Sequence, residues 1–508
     1  MKRSVIRTLL ASIFVLILLT TPALAAGDTL IVASPYDAKT LDPHLTNDSG
    51  SQNAMRQIYE KLIAFDADKE VVPSLAERWE VLEEGRAYKF YLKKGVKFHN
   101  GEEMKADDVL FSLKRSLSPE ASPIHAYSTY MDPDGFEKVD DHTVIVRIKK
   151  PMGAFLASMN HGYASILSEK AVGEGGRNYG MEPVGTGPFK LAKWTKGDRI
   201  VLDRFEDYHG RQPALKSIVI RAVTETTSRT IELESGAVDL ALTIPGADVK
   251  RLEDNAKLEV KRVPGQELFY MAFNMDLEPW KDPRVREALS LAINREGIVK
   301  AVFRGYATPA SGPWSKAVKY APQEVPVLAY DLERAKSLMK EAGYEKGFKM
   351  TLLTYESKSA TDIAAILQAE YRKIGVEVEI KLFEWGAYIE TIKAEDHAPF
   401  VLAWSAGAPA LDPFFFAGPK FHSGVIGSSN RARLNDPEVD ALIDRGASTQ
   451  DGPEREQIYL ELFDKLNEIR PWVCIAVQDQ LYGYRKELKG LQLGASFINF
   501  YGDAYFEE

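Results

Sequence analysis

Apolar and polar residues alternate most clearly between residues 76 and 115, where the pattern predicts a strand, a turn and a helix. Residues 88–92 read YKFYL, so one face of a strand can be buried. Asn100-Gly101 predicts a tight turn, because both residues tolerate a positive φ. A helix with an apolar stripe is predicted to begin near Asp107, whose charge suits the positive N-terminal end of a helix. The stretch is therefore predicted to form a buried hairpin-like unit followed by a helix.

A second pattern, at residues 350–383, predicts a parallel β-α-β unit. Residues 350–354 and 376–383 are apolar and alternating, and residues 361–374 between them form a long amphipathic helix pattern closed by Gly375. Two parallel strands joined by a helix require a right-handed crossover. Residues 268–274 (LFYMAFN) predict a buried strand that crosses into another lobe, and residues 405–422 predict a Gly/Pro/aromatic-rich loop.

The length and charge of the chain narrow the classes of protein that fit it. The 508 residues are too many for a single core, so two or three lobes are expected. The net charge of −9, with no basic run, argues against a nucleic-acid binder, since such binding depends on neutralising phosphates.

The N-terminus has the features of a secretory signal peptide. Three basic residues precede an apolar core that is too short for a comfortable membrane span, and Ala23-Leu24-Ala25 fits a small-x-small cleavage site. We predict that residues 1–25 are removed. The only cysteine, Cys474, is far from this site, so no lipid anchor is expected and the mature protein should be free in a periplasm.

Several motifs resemble those of a known family. Residues 76–112 match AE-x-W-E, an aromatic strand, L-x-x-G-V-x-F-H-[DN]-G and A-x-D-V-x-[FY]-[ST], and Leu41-Asp42-Pro43 and residues 184–189 (VGTGPF) match further motifs at the same relative positions. This combination resembles the family 5 extracytoplasmic solute-binding proteins, the oligopeptide-, dipeptide- and nickel-binding components of ABC importers. The resemblance extends over nearly the whole mature chain.

The resemblance implies an α/β fold with two lobes, in the manner of periplasmic binding proteins, with mixed sheets, hinge strands and an extra subdomain in lobe I. Carried onto this sequence, lobe I comprises residues 26–264, with the subdomain at about 63–180. Lobe II comprises residues 265–477, and residues 478–508 return to lobe I. The implied partners are a small-molecule or oligopeptide ligand and the transmembrane subunits of an ABC permease, and the protein is expected to be a monomer.

No catalytic constellation stands out in the sequence, and the chain is interpreted as a binding protein without cofactor rather than an enzyme. It lacks G-x-S-x-G, H-E-x-x-H and C-x-x-C motifs. The G-x-G of residues 185–187 is followed by Pro188, which has no amide donor, so it predicts a tight turn into a strand and not a phosphate-binding loop. The eight histidines are not spaced as metal ligands, and no metal site is predicted.

The residues predicted to bind ligand lie in loops that the resemblance places along the cleft. The principal loop begins at Trp404 and continues with Ser405, Ala406 and Gly407 toward Asp412. The other candidates are two polar loop residues and two aromatic residues: Asn47, Ser49, Tyr163 and Tyr270. Each of these residues also has an alternative explanation that involves no ligand, since polar loop residues are usually only solvated and aromatic residues usually pack in the core.

Two departures from the family pattern leave the ligand open. Peptide-binding relatives carry an acid a few residues after the tryptophan, where this chain has residues 406–408 (AGA). Dipeptide-binding relatives carry an arginine after the strand that corresponds to residues 350–354, where this chain has only Lys358. An unpaired charged terminus is costly to bury, so a short free dipeptide fits poorly. A longer peptide is favoured; an oligosaccharide, a metal chelate, a peptide-binding chaperone and a secreted hydrolase are the alternatives.

Overall fold

The computed structural model describes residues 27–66, 70–121, 130–405, 412–495 and 498–507. The predicted signal peptide and two of the predicted ligand-binding residues, Ala406 and Gly407, lie outside these ranges. No helix in the described ranges combines the length and the apolar character needed to cross a membrane.

The described residues alternate between strands and helices along the chain. The strands are β1 Thr29–Ser34, β2 Ile63–Phe65, β3 Val71–Pro73, β4 Ala76–Leu82, β5 Ala87–Leu92, β6 Glu137–Asp140, β7 Thr143–Arg147, β8 Phe189–Thr195, β9 Arg199–Arg204, β10 Ser217–Ala222, β11 Leu240–Leu242, β12 Leu258–Ala272, β13 Ala307–Pro309, β14 Phe348–Tyr355, β15 Val376–Phe383, β16 Phe400–Trp404, β17 Trp472–Arg485, β18 Leu488–Lys489 and β19 Tyr505–Phe506. The helices are α1 Ser49–Ile58, α2 Ala106–Arg115, α3 Phe155–Ser158, α4 Glu169–Gly175, α5 Thr226–Ser235, α6 Val249–Glu253, α7 Pro283–Leu291, α8 Arg295–Phe303, α9 Leu332–Glu341, α10 Lys358–Arg372, α11 Trp385–Thr391, α12 Phe414–Phe421, α13 Pro437–Ser448 and α14 Pro453–Ile469.

One mixed sheet connects the two ends of the molecule. Its strand order is β15-β14-β16-β12-β17-β11-β1-β10-β9-β8, and β13 pairs with β17. The long strands β12 and β17 run antiparallel through its middle and take part in both parts of the sheet. Their pairing is interrupted between Val263 and Glu267, where Pro264 and Gly265 intervene. Proline cannot donate a ladder hydrogen bond, so this is a natural place for the sheet to bend.

The predicted strand-turn-helix unit at residues 76–115 is confirmed. The strand predicted at residues 88–92 is part of β5, which pairs with β4 and β7 in a four-stranded sheet. Helix α2 begins at Ala106, one residue before the predicted start, and carries Asp107 and Asp108 in its first turn. The apolar face of this unit is buried because Tyr88, Phe90 and Leu92 all point into one core.

The predicted β-α-β unit is also confirmed. Strands β14 and β15 are parallel, with Phe348 opposite Val376, and α10 connects them. Helix α10 buries one apolar stripe, which includes Ile363, Leu367 and Tyr371, against a second core. The period of 3.6 residues in this stretch was therefore sufficient to predict the element.

The prediction of a loop over residues 405–422 is wrong for its second part. Residues 414–421 form α12, although this helix contains Gly418 and Pro419. Phe416 and Phe421 are buried in the core, and this packing outweighs the poor helix propensity of the segment. Near the C-terminal end of the described chain, residues 472–485 form the single long strand β17.

The VGTGPF segment leads directly into β8, as predicted, and its two glycines lie against the backbone at the end of α1. A Cβ atom on Gly185 would lie 2.0 Å from the carbonyl oxygen of Ile58, and one on Gly187 would lie 2.5 Å from that of Gln57. His99 fastens the same turn, because its Nδ1 accepts from the Gly185 amide at 3.3 Å and its Nε2 donates to the Gly187 carbonyl at 3.0 Å. Burial lowers the pKa of His99 to about 4, which keeps the ring neutral for both bonds.

Candidate functional site

Trp404 ends strand β16, where Leu268 of β12 lies opposite it in the sheet. The indole is only partly exposed, and the Nζ atom of Lys420 lies 3.4 Å from the centre of its ring. This is a close cation–π contact. The indole Nε1 is buried and has no hydrogen-bond partner among the described residues. Trp404 therefore presents a polar atom that no other described residue satisfies, as Trp194 and Trp314 also do.

Lys420 was not among the residues predicted from the sequence. It lies in α12, is 4% exposed, and makes no hydrogen bond or ion pair with any described residue. Burial lowers the pKa of its amine to about 7, and repulsion from Arg431 acts in the same direction. The sequence signal was weak, because a lone lysine in an aromatic stretch more often snorkels to the surface.

Arg431 is a second cation without an ion-pair partner among the described residues. It is half-buried, its Nε atom is buried without a hydrogen-bond partner, and its guanidinium forms no ion pair within the described ranges. The backbone carbonyl of Arg431 accepts a hydrogen bond from His397 at 2.7 Å, which fixes the segment that carries it. Electrostatically, Arg431 also acts on Tyr270 and Tyr388, whose pKa values it lowers against the larger upward effect of burial.

Glu267 is a carboxylate that the sequence-based prediction also missed. It follows the interruption of the β12–β17 pairing and is partly exposed. Its side chain has no hydrogen-bond or ion-pair partner in the part of the chain that the structure describes, and burial raises its pKa. It lies near Tyr36 and Tyr355, since its charge contributes to raising the pKa of both hydroxyls. A glutamate directly before the apolar run 268–274 was the only signal available.

Asn47 and Ser49 lie at the beginning of α1. Asn47 is exposed and Ser49 is partly exposed, so both can be reached by a solute. Asp48 between them caps the helix, since its Oδ1 accepts from the amide of Ser51 at 2.9 Å. The loop is thereby held in place while the two neighbouring side chains remain at the surface.

Tyr163 and Tyr270 are both buried. Tyr163 is 2% exposed and stacks on His161 with ring centres 3.7 Å apart, in a short 3-10 turn beside α1. Tyr270 is 2% exposed and stacks on Trp472 at 3.8 Å. Packing in the core, the alternative weighed for both residues, accounts for these positions.

Asp412 has a structural partner. Its two carboxylate oxygens accept hydrogen bonds from both terminal nitrogens of Arg455, at 2.5 and 2.7 Å, and both side chains are almost fully buried. Its Oδ1 also accepts from the amide of Phe414 at 2.9 Å, at the start of α12. Because both of its oxygens are engaged, Asp412 is poorly placed to bind a ligand.

Ser405, the predicted site residue directly after Trp404, is partly exposed.

Residues 63–180 meet the segment 412–459 opposite them. The amide of Gly153 donates to the carbonyl of Ala447 at 2.7 Å, and the rings of Tyr130 and Phe414 meet edge to face at 5.7 Å. Lys319 connects the two segments through ion pairs with Glu70 at 3.3 Å and Asp451 at 2.8 Å. The two segments are therefore in direct contact through backbone, aromatic and charged groups.

Within the described ranges, no three His, Cys, Asp or Glu side chains come together in a way that could hold a metal ion. The unpaired groups described above are instead two cations, an indole N–H and one carboxylate. Such groups bind polar organic solutes through charge-assisted hydrogen bonds.

Comparisons with known proteins extend over most of the chain. Residues 70–427 match the model of the bacterial extracellular solute-binding proteins, family 5 Middle. The chain is 32% identical over 500 residues to the glutathione-binding protein GsiB of Pectobacterium atrosepticum, and the match covers 96% of each protein. It is 30% identical over 504 residues to the dipeptide-binding protein of Escherichia coli, covering 94% of each.

Solved structures have the same fold. The periplasmic binding protein DppA of Helicobacter pylori, associated with an ABC transporter and in complex with the peptide STSA, superimposes with a TM-score of 0.80 at 28% identity, over 94% of this chain and 98% of that one. The dipeptide-binding protein of a Pseudoalteromonas species, in complex with Met-Leu, gives 0.77 at 26% identity over 94% and 100%. The predicted α/β fold of the two-lobe binding-protein type is confirmed.

Proposed function

Because the chain belongs to the bacterial extracellular solute-binding proteins of family 5, we propose that it is the solute-binding component of an ABC importer and that its solute is an oligopeptide. The observation that carries the peptide assignment is the similarity to the Escherichia coli dipeptide-binding protein over 94% of both chains. The peptides bound in two similar structures support it. The family and these relatives are binding proteins, so no covalent step is required of the site.

Capture works by closure of two lobes around the solute. In the proposed division, lobe I is residues 26–264 and 478–508, with the subdomain 63–180, and lobe II is residues 265–477. The interruption of the β12–β17 pairing, between Val263 and Glu267 on one strand and near Gln478 on the other, supports boundaries at these positions. A short break in two long strands can absorb the φ/ψ changes of a hinge.

The solute would lie between Asn47 and Ser49 on lobe I and Trp404 and Ser405 on lobe II, with Glu267 at the hinge. Glu267 is a partly buried carboxylate that has no partner among the described residues. It can therefore accept hydrogen bonds from a peptide ammonium or amide. Closing the lobes removes water from these contacts and strengthens them. The permease subunits then recognise the surface of the closed form. Because the solute stabilises that form, it is the solute-bound protein that the permease recognises.

The family is extracytoplasmic, and we propose that this protein is a monomer that is free in the periplasm. Cleavage after Ala25 would leave no cysteine near the new N-terminus to accept a lipid. Removing Lys2, Arg3 and Arg7 without any acid changes the net charge from −9 to −12.

The released solute tests the proposal. The full chain is expressed with its own signal, purified from the periplasm and measured by native mass spectrometry, and the small molecules freed by denaturation are then identified. We expect the mass of a polypeptide that begins at Ala26, and we expect peptides among the released molecules. If the protein is empty, thermal shifts with peptides and oligosaccharides are measured, because a ligand that binds only the native state raises the melting temperature.

A released sugar or metal chelate, or a thermal shift with sugars and none with peptides, would contradict the oligopeptide assignment. Turnover of an added peptide or glycan without stable binding would contradict the transport function.

A further inference from the structure

Three hydrogen-bond donors of lobe II have no acceptor among the described residues. They are the ammonium of Lys420, the Nε of Arg431 and the indole Nε1 of Trp404. Lys420 and Trp404 are in direct contact at 3.4 Å, and Arg431 is near enough to repel the Lys420 charge. Donors alone, with two positive charges among them, define an electropositive site.

No described acid compensates these charges. Neither cation has an ion-pair partner within the described ranges, and the sequence between Ser405 and Asp412 (AGAPAL) contains no charged residue. The first acid after Trp404 is Asp412, and Arg455 occupies both of its oxygens. The cations therefore cannot rely on a neighbouring carboxylate of the chain.

A buried cation without a partner destabilises a folded protein, because it has lost its hydration and gained nothing in return. Lys420 is 4% exposed, and among the described residues only the cation–π contact with Trp404 offsets part of this cost. A methionine or leucine at the same position would fill the same space without it. A residue that lowers stability at a binding cleft is expected to contribute to ligand binding instead.

We propose that Lys420, Arg431 and Trp404 form a subsite that binds an anionic group of the solute, a carboxylate. The subsite deepens the proposed function and rests on it. The carboxylate accepts hydrogen bonds from the ammonium and the guanidinium and is held against the indole edge. For a peptide solute, the C-terminal carboxylate or an acidic side chain would enter this subsite.

Matched pairs of peptides test the subsite. Di-, tri- and tetra-alanine and glutathione are each titrated by calorimetry as the free acid and as the C-terminal amide, into the wild type and into Lys420→Met. We expect the amides to bind the wild type at least about tenfold more weakly than the acids, since a hydrogen bond to a charged group is lost. Lys420→Met should lose roughly tenfold to a hundredfold in affinity for the acids and almost nothing for the amides.

The stability of the ligand-free variant separates a binding role from a packing role. Lys420→Met removes a buried, unpaired charge and keeps the side-chain volume, so its melting temperature without ligand should equal or exceed that of the wild type. Lys420→Arg should retain the preference for acids. Lys349→Met, at an exposed lysine of lobe II, is the matched control and should leave binding unchanged.

Arg431→Gln provides a second, independent variant, because the Nε atom of Arg431 has no hydrogen-bond partner among the described residues. It too should weaken the acids selectively. Equal binding of acids and amides by the wild type, or unchanged binding of acids by both variants, would overturn the anionic subsite and leave the proposed function intact. If no peptide binds in either form, the oligopeptide function is overturned, and the subsite falls with it.

Discussion

Replacing Arg455 with methionine is expected to lower the free energy of unfolding by about 3–5 kcal/mol. The Arg455 side chain is fully buried and holds Asp412 through two hydrogen bonds, while its Nε donates to the Gly446 carbonyl at 2.8 Å. Removing the guanidinium leaves a buried carboxylate without its counter-charge, which costs more than the pair itself contributes. Chemical denaturation of the ligand-free protein measures the change.

The matched control is Lys358→Met, which removes a lysine whose i,i+4 pair with Asp362 is exposed and which should change stability little. Asp412→Asn should destabilise the protein as Arg455→Met does, because it removes the nearest counter-charge of the buried arginine and leaves only Asp451 at 3.7 Å. A loss below about 1 kcal/mol for Arg455→Met would contradict the structural role assigned to the pair. An Asp412→Asn variant that keeps its stability and loses affinity would restore Asp412 as a ligand-binding residue.

Substituting Gly153 with alanine is expected to weaken solute binding by roughly tenfold or more. A Cβ atom at this position would lie 1.9 Å from the carbonyl oxygen of Thr449, whereas real Cβ contacts are not closer than 3.0 Å, so the two backbones must separate by about 3.0 − 1.9 = 1.1 Å. In the proposed division Gly153 belongs to lobe I and Thr449 to lobe II. The closed arrangement therefore loses stability relative to the open one, and apparent affinity decreases with the closed population. Calorimetric titration with the released peptide measures the effect.

Gly173→Ala is the control for this variant, because a Cβ atom there meets nothing within 4 Å. It should bind the peptide as the wild type does. Gly153→Ala with wild-type affinity would show that the Gly153–Ala447 contact does not belong to the closed state, and the proposed division of the lobes would need revision.

The elements that the sequence predicted best are those defined by local patterns. The strand at residues 88–92, helix α2 and the β14-α10-β15 unit each follow from a run of apolar residues with period 2 or 3.6. Acidic residues such as Asp107, in the first turn of α2, mark the start of a helix. The turn at residues 185–187 followed from Pro188. In these stretches the local preference and the tertiary packing agree.

The features that sequence reasoning missed depend on contacts between distant segments. Helix α12 forms in a segment of poor propensity because its phenylalanines pack into the core, and only the folded chain shows that. Asp412 was assigned to the ligand because its partner Arg455, 43 residues away, could not be identified from one sequence. Lys420 was missed for the same reason, since its contact with Trp404 joins two different elements.

The family resemblance supplied the discontinuous lobes and the position of Trp404, neither of which follows from periodicity. Two of the residues it pointed to, Ala406 and Gly407, lie outside the described residues, and the remaining candidates stay predictions. Of these, the exposed polar residues Asn47 and Ser49 are better placed to contact a solute than the buried Tyr270.

Small-angle X-ray scattering of the wild-type protein, stripped of solute and then saturated with the released peptide, tests the central claim most directly. If the protein captures its solute by closing two lobes, the stripped sample will have the larger radius of gyration, and addition of the peptide will reduce it in proportion to occupancy. A peptide that binds tightly without any change in the scattering curve, or that is hydrolysed during the measurement, would contradict capture by closure.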